Sequence, residues 1–246
     1  MSTVGILGGG QLARMLALAG APLGVRFLVV DNVPEACASQ VAPQLTADWR
    51  DFAALAEFAR RIDVATFDFE NVPADTAQWL TEHTRVFPNP RALAVAQDRL
   101  AEKSLFRDIG LPTPDFAAVD SREDLIRAVE RIGVPSILKT RRLGYDGKGQ
   151  FRLKAPTDVD AAWDALAGAP SILEAFVPFE RVLSVIAVRS REGDFATYPL
   201  TQNWHADGIL SASLAPAPGC EVLAPVAFAH ARRIAEELDY VGVFAL

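Results

Sequence analysis

The sequence predicts an α/β protein in three parts: an N-terminal doubly wound parallel sheet, an α+β lid, and the start of a C-terminal α+β domain. Three observations carry this. Apolar strands alternate with amphipathic helices over roughly the first ninety residues, the pattern of a parallel sheet with crossover helices. An apolar strand ending in Lys139 then leads into a glycine-rich flap, Gly144–Gln150, and a second strand. Finally, an amphipathic helix after Pro225 runs into another apolar stretch, Val241–Leu246. The boundaries expected are 1–98, 99–181 and 182–246.

In order along the chain, Val4–Leu7 is a buried strand that Gly8-Gly9-Gly10 turns into a helix from about Gln11 to Leu18. Phe27–Val30 is a second strand, ending in Asp31. Phe52, Leu55, Ala56, Ala59 and Ile62 share one helical face. Val64–Phe69 is a third strand, ending in Glu70-Asn71-Val72-Pro73. Gly8–Gly10, Asp31 and Glu70 therefore meet at the carboxyl edge of the sheet, where ligands of such folds bind. After Pro88-Asn89-Pro90 a charged helix is expected from about Arg91 to Ile109, closed by Gly110-Leu111-Pro112. Ser121 and Asp124 cap a helix carrying Leu125, Val129 and Ile132. Ser136–Lys139, the flap, Phe151–Leu153, a helix near Val159–Leu166 and Ser171–Val177 form a separate α+β module. Val182–Arg189 and Ala196–Leu200 are expected to pair. A last helix follows, with Phe228, Ala231, Ile234, Ala235 and Leu238 on one side. Val241–Leu246, a strand with no polar tail, is expected to lack partners, as if a third domain were interrupted.

Half of the 246 residues are hydrophobic and 22% are charged, as in an ordinary globular protein with a core. A net charge of −7 argues against broad binding to nucleic acid or anionic membranes. The basic stretch around Lys139–Lys154 is thus a local feature that favours a small anion. Cys37 and Cys220 are far apart, with no C-x-x-C spacing, so neither a disulfide framework nor a zinc site is expected. No basic leader precedes the first strand, and no apolar run reaches the about eighteen residues of a membrane span. A reducing cytoplasm is the expected compartment.

Lys139 beside a glycine-rich flap suits a polyphosphate. The ammonium is a point charge, and glycines let backbone N–H groups approach phosphate oxygens. Gly8-Gly9-Gly10-Gln11-Leu12-Ala13 fits G-x-G-x-x-A between strand and helix, with Asp31 ending the next strand. That pattern could hold a dinucleotide, hold any single phosphate at the helix N-terminus, or simply make a tight turn. Glu70 could receive ribose hydroxyls or cap the next segment. Glu174 could accept an adenine amino proton or mark a strand end. His205, in Asn203-Trp204-His205-Ala206-Asp207-Gly208, falls in an expected loop.

Together these stretches resemble the ATP-grasp superfamily, and within it the 5-(carboxyamino)imidazole ribonucleotide synthetase family. The matching segments are GGGQLARM (8–15), FENVP (69–73), QDRLAEKSLF (97–106), LPTP (111–114), GYDGKGQ (144–150) and YPLTQNWHADGIL (198–210), with Lys139 and Tyr240–Val243. The resemblance covers essentially the whole chain. It implies an ADP-forming ligase of purine biosynthesis: ATP phosphorylates bicarbonate to carboxyphosphate, and the amine of 5-aminoimidazole ribonucleotide captures the carboxyl group. Lys139 and Arg99 would contact ATP phosphates, with Gly144, Tyr145, Asp146, Gly147, Lys148, Gly149 and Gln150 closing over them. Lys139, Tyr145 and Asp146 would be the catalytic residues. Glu174, Ala175, Phe176 and Val177 would hold the adenine, with His205 near the nucleotide. Gly10, Gln11, Leu12 and Glu70, reached by Tyr145 and Asp146, would hold the ribonucleotide substrate. The resemblance also implies Mg²⁺ and a homodimer.

Two departures follow from the same comparison. Val182 stands where the family has a glutamate for the ATP ribose, with Glu180 two residues away. The Mg²⁺ carboxylates of the family come after the strand that closes this chain, so their ligands are expected beyond Leu246 and the 246-residue chain alone is expected to be inactive. Competing readings are a nicotinamide-dependent oxidoreductase, supported by G-x-G-x-x-A and Asp31, another ATP-grasp carboxylate–amine ligase, and a non-catalytic nucleotide-binding fragment.

Overall fold

The computed structural model describes every residue except Met1, Asp68, Tyr145, Asp146 and Asp207. The chain divides into two compact units, Met1–Ala94 and Val95–Leu246.

The first unit is built from β1 (Thr3–Leu7), α1 (Gln11–Gly20), β2 (Arg26–Asp31), β3 (Gln44–Thr46), α2 (Phe52–Arg60), β4 (Val64–Phe67), α3 (Ala74–Leu80) and β5 (Arg85–Val86). Its strands form one parallel sheet in the order β3-β2-β1-β4-β5. Both faces are covered, which is why β1 and β2 read as nearly unbroken apolar runs. Alternation sorts their side chains. Ile6 and Val29 pack with Ala13 and Ala17 of α1, while Leu7, Leu28 and Val30 pack with Leu55 and Phe58 of α2 and Leu80 of α3. Strand order reverses between β1 and β4, so the loops after these two strands flank the crevice where parallel sheets bind ligands.

Next in the chain come α4 (Pro90–Ala96) and α5 (Arg99–Asp108). The single helix expected from Arg91 to Ile109 is therefore two. The break has a local cause: the Asp98 carboxylate accepts from the N–H groups of Leu100 and Ala101 at 2.9 and 3.3 Å, restarting the helix as its N-cap.

The second unit continues with β6 (Phe116–Val119), α6 (Arg122–Ile132), β7 (Ser136–Thr140), β8 (Gln150–Leu153), α7 (Val159–Ala165) and β9 (Ser171–Ala175). The antiparallel sheet runs β6-β9-β7-β8. One face packs Val119, Leu138, Leu153 and Leu173 against Leu125 and Val129 of α6 and Ala162 of α7. Ser121 caps α6 as expected, accepting from Asp124 N–H at 3.1 Å.

After this come β10 (Val182–Ser184), β11 (Ile186–Arg189), β12 (Phe195–Thr197), β13 (Thr201–Ala206), β14 (Ile209–Leu214), α8 (Ala224–Glu237) and β15 (Gly242–Ala245). The expected strand Val182–Arg189 is split. Its first half pairs with β13 and its second half with β12 and β15, so the chain changes sheets at buried Val185. The closing strand is likewise not left without a partner. β15 pairs with β11, and Leu246 and Val185 exchange two backbone hydrogen bonds of 2.8 and 2.9 Å. Ala231, Ile234 and Ala235 of α8 and Leu238 just after it are buried, as the apolar stripe predicts.

The cap at Asp98 gives a direct test. Asp98→Ala is expected to cost about 1 kcal/mol, and Asp98→Ser much less. Calorimetry should place the loss in the transition of the second unit; an unchanged transition would show that α5 needs no cap.

Candidate functional site

The register of the second unit brings the basic and acidic residues of its sheet together. Leu138 lies opposite Leu173, on the face packed by helices. Ile137 lies opposite Glu174 and Lys139 opposite Ile172, so these four occupy the other face. Lys139 and Glu174 are thus diagonal neighbours across the β7–β9 pair, within reach of long side chains. The Lys139 ammonium donates to Glu174 Oε2 at 3.0 Å, and Lys103 from α5 approaches the same oxygen at 3.6 Å. The Glu174 side chain is 6% exposed, those of Lys103 and Lys139 22% and 25%.

Lys103 was not singled out by sequence reasoning. The available signal was its spacing: four residues after Arg99 in a helix capped by Asp98, it lies on Arg99's face. Opposite charges about 4 Å apart attract by about 4 kcal/mol at an effective dielectric of about 20. Removing such ions from water costs several kcal/mol each. The cluster therefore adds little net stability. What it does is hold two ammonium groups around one carboxylate on the face of the sheet opposite α6 and α7, an arrangement that an anion of higher charge can enter.

Arg99 braces the loop that leaves β7. Its guanidinium donates to the carbonyls of Thr140 and Gly144 at 2.9 and 2.8 Å, and its own N–H donates to Arg141 O at 3.0 Å. A Cβ on Gly144 would lie 3.0 Å from Arg99, and one on Gly149 would lie 2.6 Å from Thr140 Oγ1. Gly149 also has φ +69°, a conformation that favours glycine. Gly147 and Lys148 occupy the turn, and Gln150 opens β8 opposite Lys139. Tyr145 and Asp146 lie outside the described residues.

Downstream of Glu174, the N–H groups of Ala175 and Phe176 donate to Asp115 O and Pro135 O at 2.8 and 3.1 Å, and Val177 is exposed. The Arg152 guanidinium stacks 4.0 Å over the Phe176 ring. His205 is not in a loop. It is on β13, which the polar run Thr201-Gln202-Asn203 and the polar His205 after Trp204 concealed. Val182 lies opposite Asn203, and a bulge puts the extra residue on β14, so Val182, Ser184, Asn203 and His205 share one sheet face. Asn203 ties that face together, donating to Ser184 Oγ at 2.5 Å and accepting from Ser213 at 2.7 Å.

In the first unit Gly8 and Gly9 are buried, whereas Gly10, Gln11 and Leu12 are exposed at the carboxyl edge of the sheet, and Glu70 is exposed in the loop after β4. Asp31 is engaged with backbone, its Oδ2 accepting from Gly9 N–H at 2.6 Å and its Oδ1 from Val33 N–H at 2.7 Å. The carboxylate that a nicotinamide dinucleotide would need for its ribose thus already has two donors.

The sequence profile of the ribonucleotide synthetase preATP-grasp domain matches residues 1–97, and that of the ATP-grasp domain matches residues 104–246. The N5-carboxyaminoimidazole ribonucleotide synthase of Pseudomonas aeruginosa is 48% identical over 242 residues, covering 98% of this chain and 67% of its own. The crystal structure of N5-carboxyaminoimidazole ribonucleotide synthetase from Thermus thermophilus superposes with a TM-score of 0.93 at 50% identity, covering 99% of this chain and 66% of that one. A synthase structure from Aspergillus clavatus, in complex with ADP and 5-aminoimidazole ribonucleotide, superposes with a TM-score of 0.87 at 27% identity, covering 99% and 65%. The chain thus spans about two thirds of the length of these relatives. With its preATP-grasp sheet and the lysine-bearing ATP-grasp module after it, the chain belongs to the N5-carboxyaminoimidazole ribonucleotide synthase family of ATP-grasp ligases.

Proposed function

We propose that this protein uses ATP and bicarbonate to carboxylate the exocyclic amine of 5-aminoimidazole ribonucleotide, through carboxyphosphate, in purine biosynthesis. The observation that carries the reading is the convergence of Lys103 and Lys139 on buried Glu174, beside a glycine loop braced by Arg99. A bicarbonate oxygen takes the γ-phosphoryl group and ADP leaves. The amine nitrogen then bonds to the carboxyl carbon, phosphate departs, and the nitrogen loses a proton. Transfers of this kind depend mainly on positioning and charge neutralisation.

In this scheme Lys139 and Lys103 exchange one carboxylate for the more highly charged phosphates. Arg99, expected on the phosphates, has its guanidinium on the Thr140 and Gly144 carbonyls and instead fixes the loop from Gly144 to Gln150 through its backbone, with Lys148 presented in the turn. Tyr145 and Asp146 take the catalytic and substrate contacts of the family pattern. Ala175–Val177 border the adenine, whereas Glu174, expected beside them, is engaged by Lys103 and Lys139 instead, and the face shared by Val182 and His205 meets the nucleoside. Gly10, Gln11, Leu12 and Glu70 receive the ribonucleotide substrate. Functionally, residues 1–98 form the substrate domain, 99–181 the linker helices and lid, and 182–246 part of the C-terminal ATP-grasp domain.

Mg²⁺ is the metal such phosphoryl transfers use. Among the described residues no group of three or more His, Cys, Asp or Glu side chains is placed to hold a metal. Among the same residues no helix is long and apolar enough to cross a membrane. A cytoplasmic homodimer is the proposed setting.

Two measurements test the nucleotide assignments. Lys139→Ala is expected to weaken ATP binding about tenfold or more while leaving 5-aminoimidazole ribonucleotide binding nearly unchanged in calorimetry. Equal ATP affinity in the variant would move the phosphates elsewhere. Val182→Glu places a carboxylate on the face shared with His205, and is expected to tighten ATP by about 1–2 kcal/mol through the ribose hydroxyls. It should give 2′,3′-dideoxy-ATP no such gain; equal gains for both nucleotides would contradict a ribose contact there.

A further inference from the structure

The triglycine loop after β1 is held from three directions, and each contact bears on the exposed Gly10-Gln11-Leu12 segment. Gly8 donates to Val30 O at 2.9 Å. Gly9, buried, donates its N–H to Asp31 Oδ2 at 2.6 Å and accepts through its carbonyl from Ala38 N–H at 2.8 Å. The fit against this neighbouring loop is close, because a Cβ on Gly9 would lie 2.6 Å from the Ala36 Cβ. Next along the same loop, the Cys37 thiol donates to Gln11 Oε1 at 3.1 Å. The supporting loop is itself braced: Gln44 accepts from Ala36 N–H at 3.0 Å and donates to Val33 O at 2.8 Å.

We propose that Asp31 and Cys37 are positioning residues for the ribonucleotide substrate, Asp31 acting through Gly9 and Cys37 through the Gln11 amide; this rests on the assignment of Gly10, Gln11 and Leu12 to that substrate. The chemistry of each contact supports the role. Asp31 bridges the loops after β1 and β2, and its short bond to a buried amide is charge-assisted, the kind that fixes a backbone angle. The Cys37 thiol occupies the Gln11 carbonyl oxygen and so directs the amide NH₂ of Gln11, a donor, away from Cys37. A donor on the first residue of α1, beside the positive end of that helix, suits an anionic or oxygen-rich ligand. Asp31 therefore shapes the loop through backbone groups on both sides of it.

The test is calorimetric binding of 5-aminoimidazole ribonucleotide and, separately, of ATP to the 246-residue chain and its variants. Asp31→Ala is expected to weaken the ribonucleotide about tenfold while ATP affinity stays within about twofold, and Asp31→Asn, which keeps one acceptor oxygen, to lose less. Cys37→Ala is expected to weaken the ribonucleotide about threefold, and Cys37→Ser, which keeps a donor, to restore it. A structural role alone would lower both affinities together, or leave Ser no better than Ala. Unaltered ribonucleotide affinity in Asp31→Ala and Cys37→Ala would overturn the positioning role while leaving the substrate assignment standing. Absence of ribonucleotide binding by the unaltered chain, with ATP still bound, would instead overturn the substrate assignment and this proposal with it. If Asp31→Ala fails to fold, the Ala and Ser variants of Cys37 decide the matter.

Discussion

Much of what the second unit can do depends on one contact, the ion pair between Lys139 and Glu174. It is a consequence of register. β7 and β9 pair so that Leu138 meets Leu173 on the helix-covered face, and this leaves Lys139 and Glu174 as diagonal neighbours on the other. A slip of either strand by one residue would carry its own charged group, Lys139 or Glu174, into the apolar layer of α6 and α7, where the charge could not be solvated. The hydrophobic pattern that folds the module therefore also aims its lysine. Lys103 joins from a helix whose start is set by Asp98, so a capping interaction decides where the second ammonium stands.

Several charged side chains elsewhere in the protein serve backbone. Arg99 grips two carbonyls at the base of the glycine loop, Asp31 two amides at the carboxyl edge of the parallel sheet, and Arg141 donates to Ser171 O at 3.1 Å. Glycine-rich loops lack side chains to anchor them, so the anchoring passes to charged residues on neighbouring elements. Loops shaped in this way expose main-chain N–H groups without losing their form, which suits phosphate and ribose recognition. By contrast, exposed pairs such as Arg60 with Glu57 on α2 contribute little and bear on neither site.

The parts of the fold legible in the sequence were those in which one local signal dominates. The strand–glycine–helix entry, the capped α6 and the strand–flap–strand–helix–strand module all followed from periodicity and turn residues. What escaped was either a local signal masked by its surroundings or a contact that needs nonlocal information. The division between α4 and α5 depends on a side-chain cap that an otherwise helical stretch conceals. His205 looked like a loop residue because β13 is polar and partly exposed, and only its pairing with β10 and β14 makes it a strand. The switch between sheets at Val185 and the pairing of β15 with β11 are tertiary facts with no local signature. Lys103 was hidden for the same reason: its partner is Glu174, 71 positions away in the chain. Asp31 was legible as important yet not in its role, since a fingerprint gives the position of an acid and not its hydrogen-bond partners.

The central claim is that Lys103 and Lys139 are held by Glu174 in readiness for phosphate. A crystal structure of the chain with a non-hydrolysable ATP analogue tests it most directly. The account predicts both ammonium groups within hydrogen-bond distance of phosphate oxygens, with the Lys139–Glu174 contact lengthened beyond its present 3.0 Å. An analogue bound elsewhere, with both lysines still on Glu174, would contradict it.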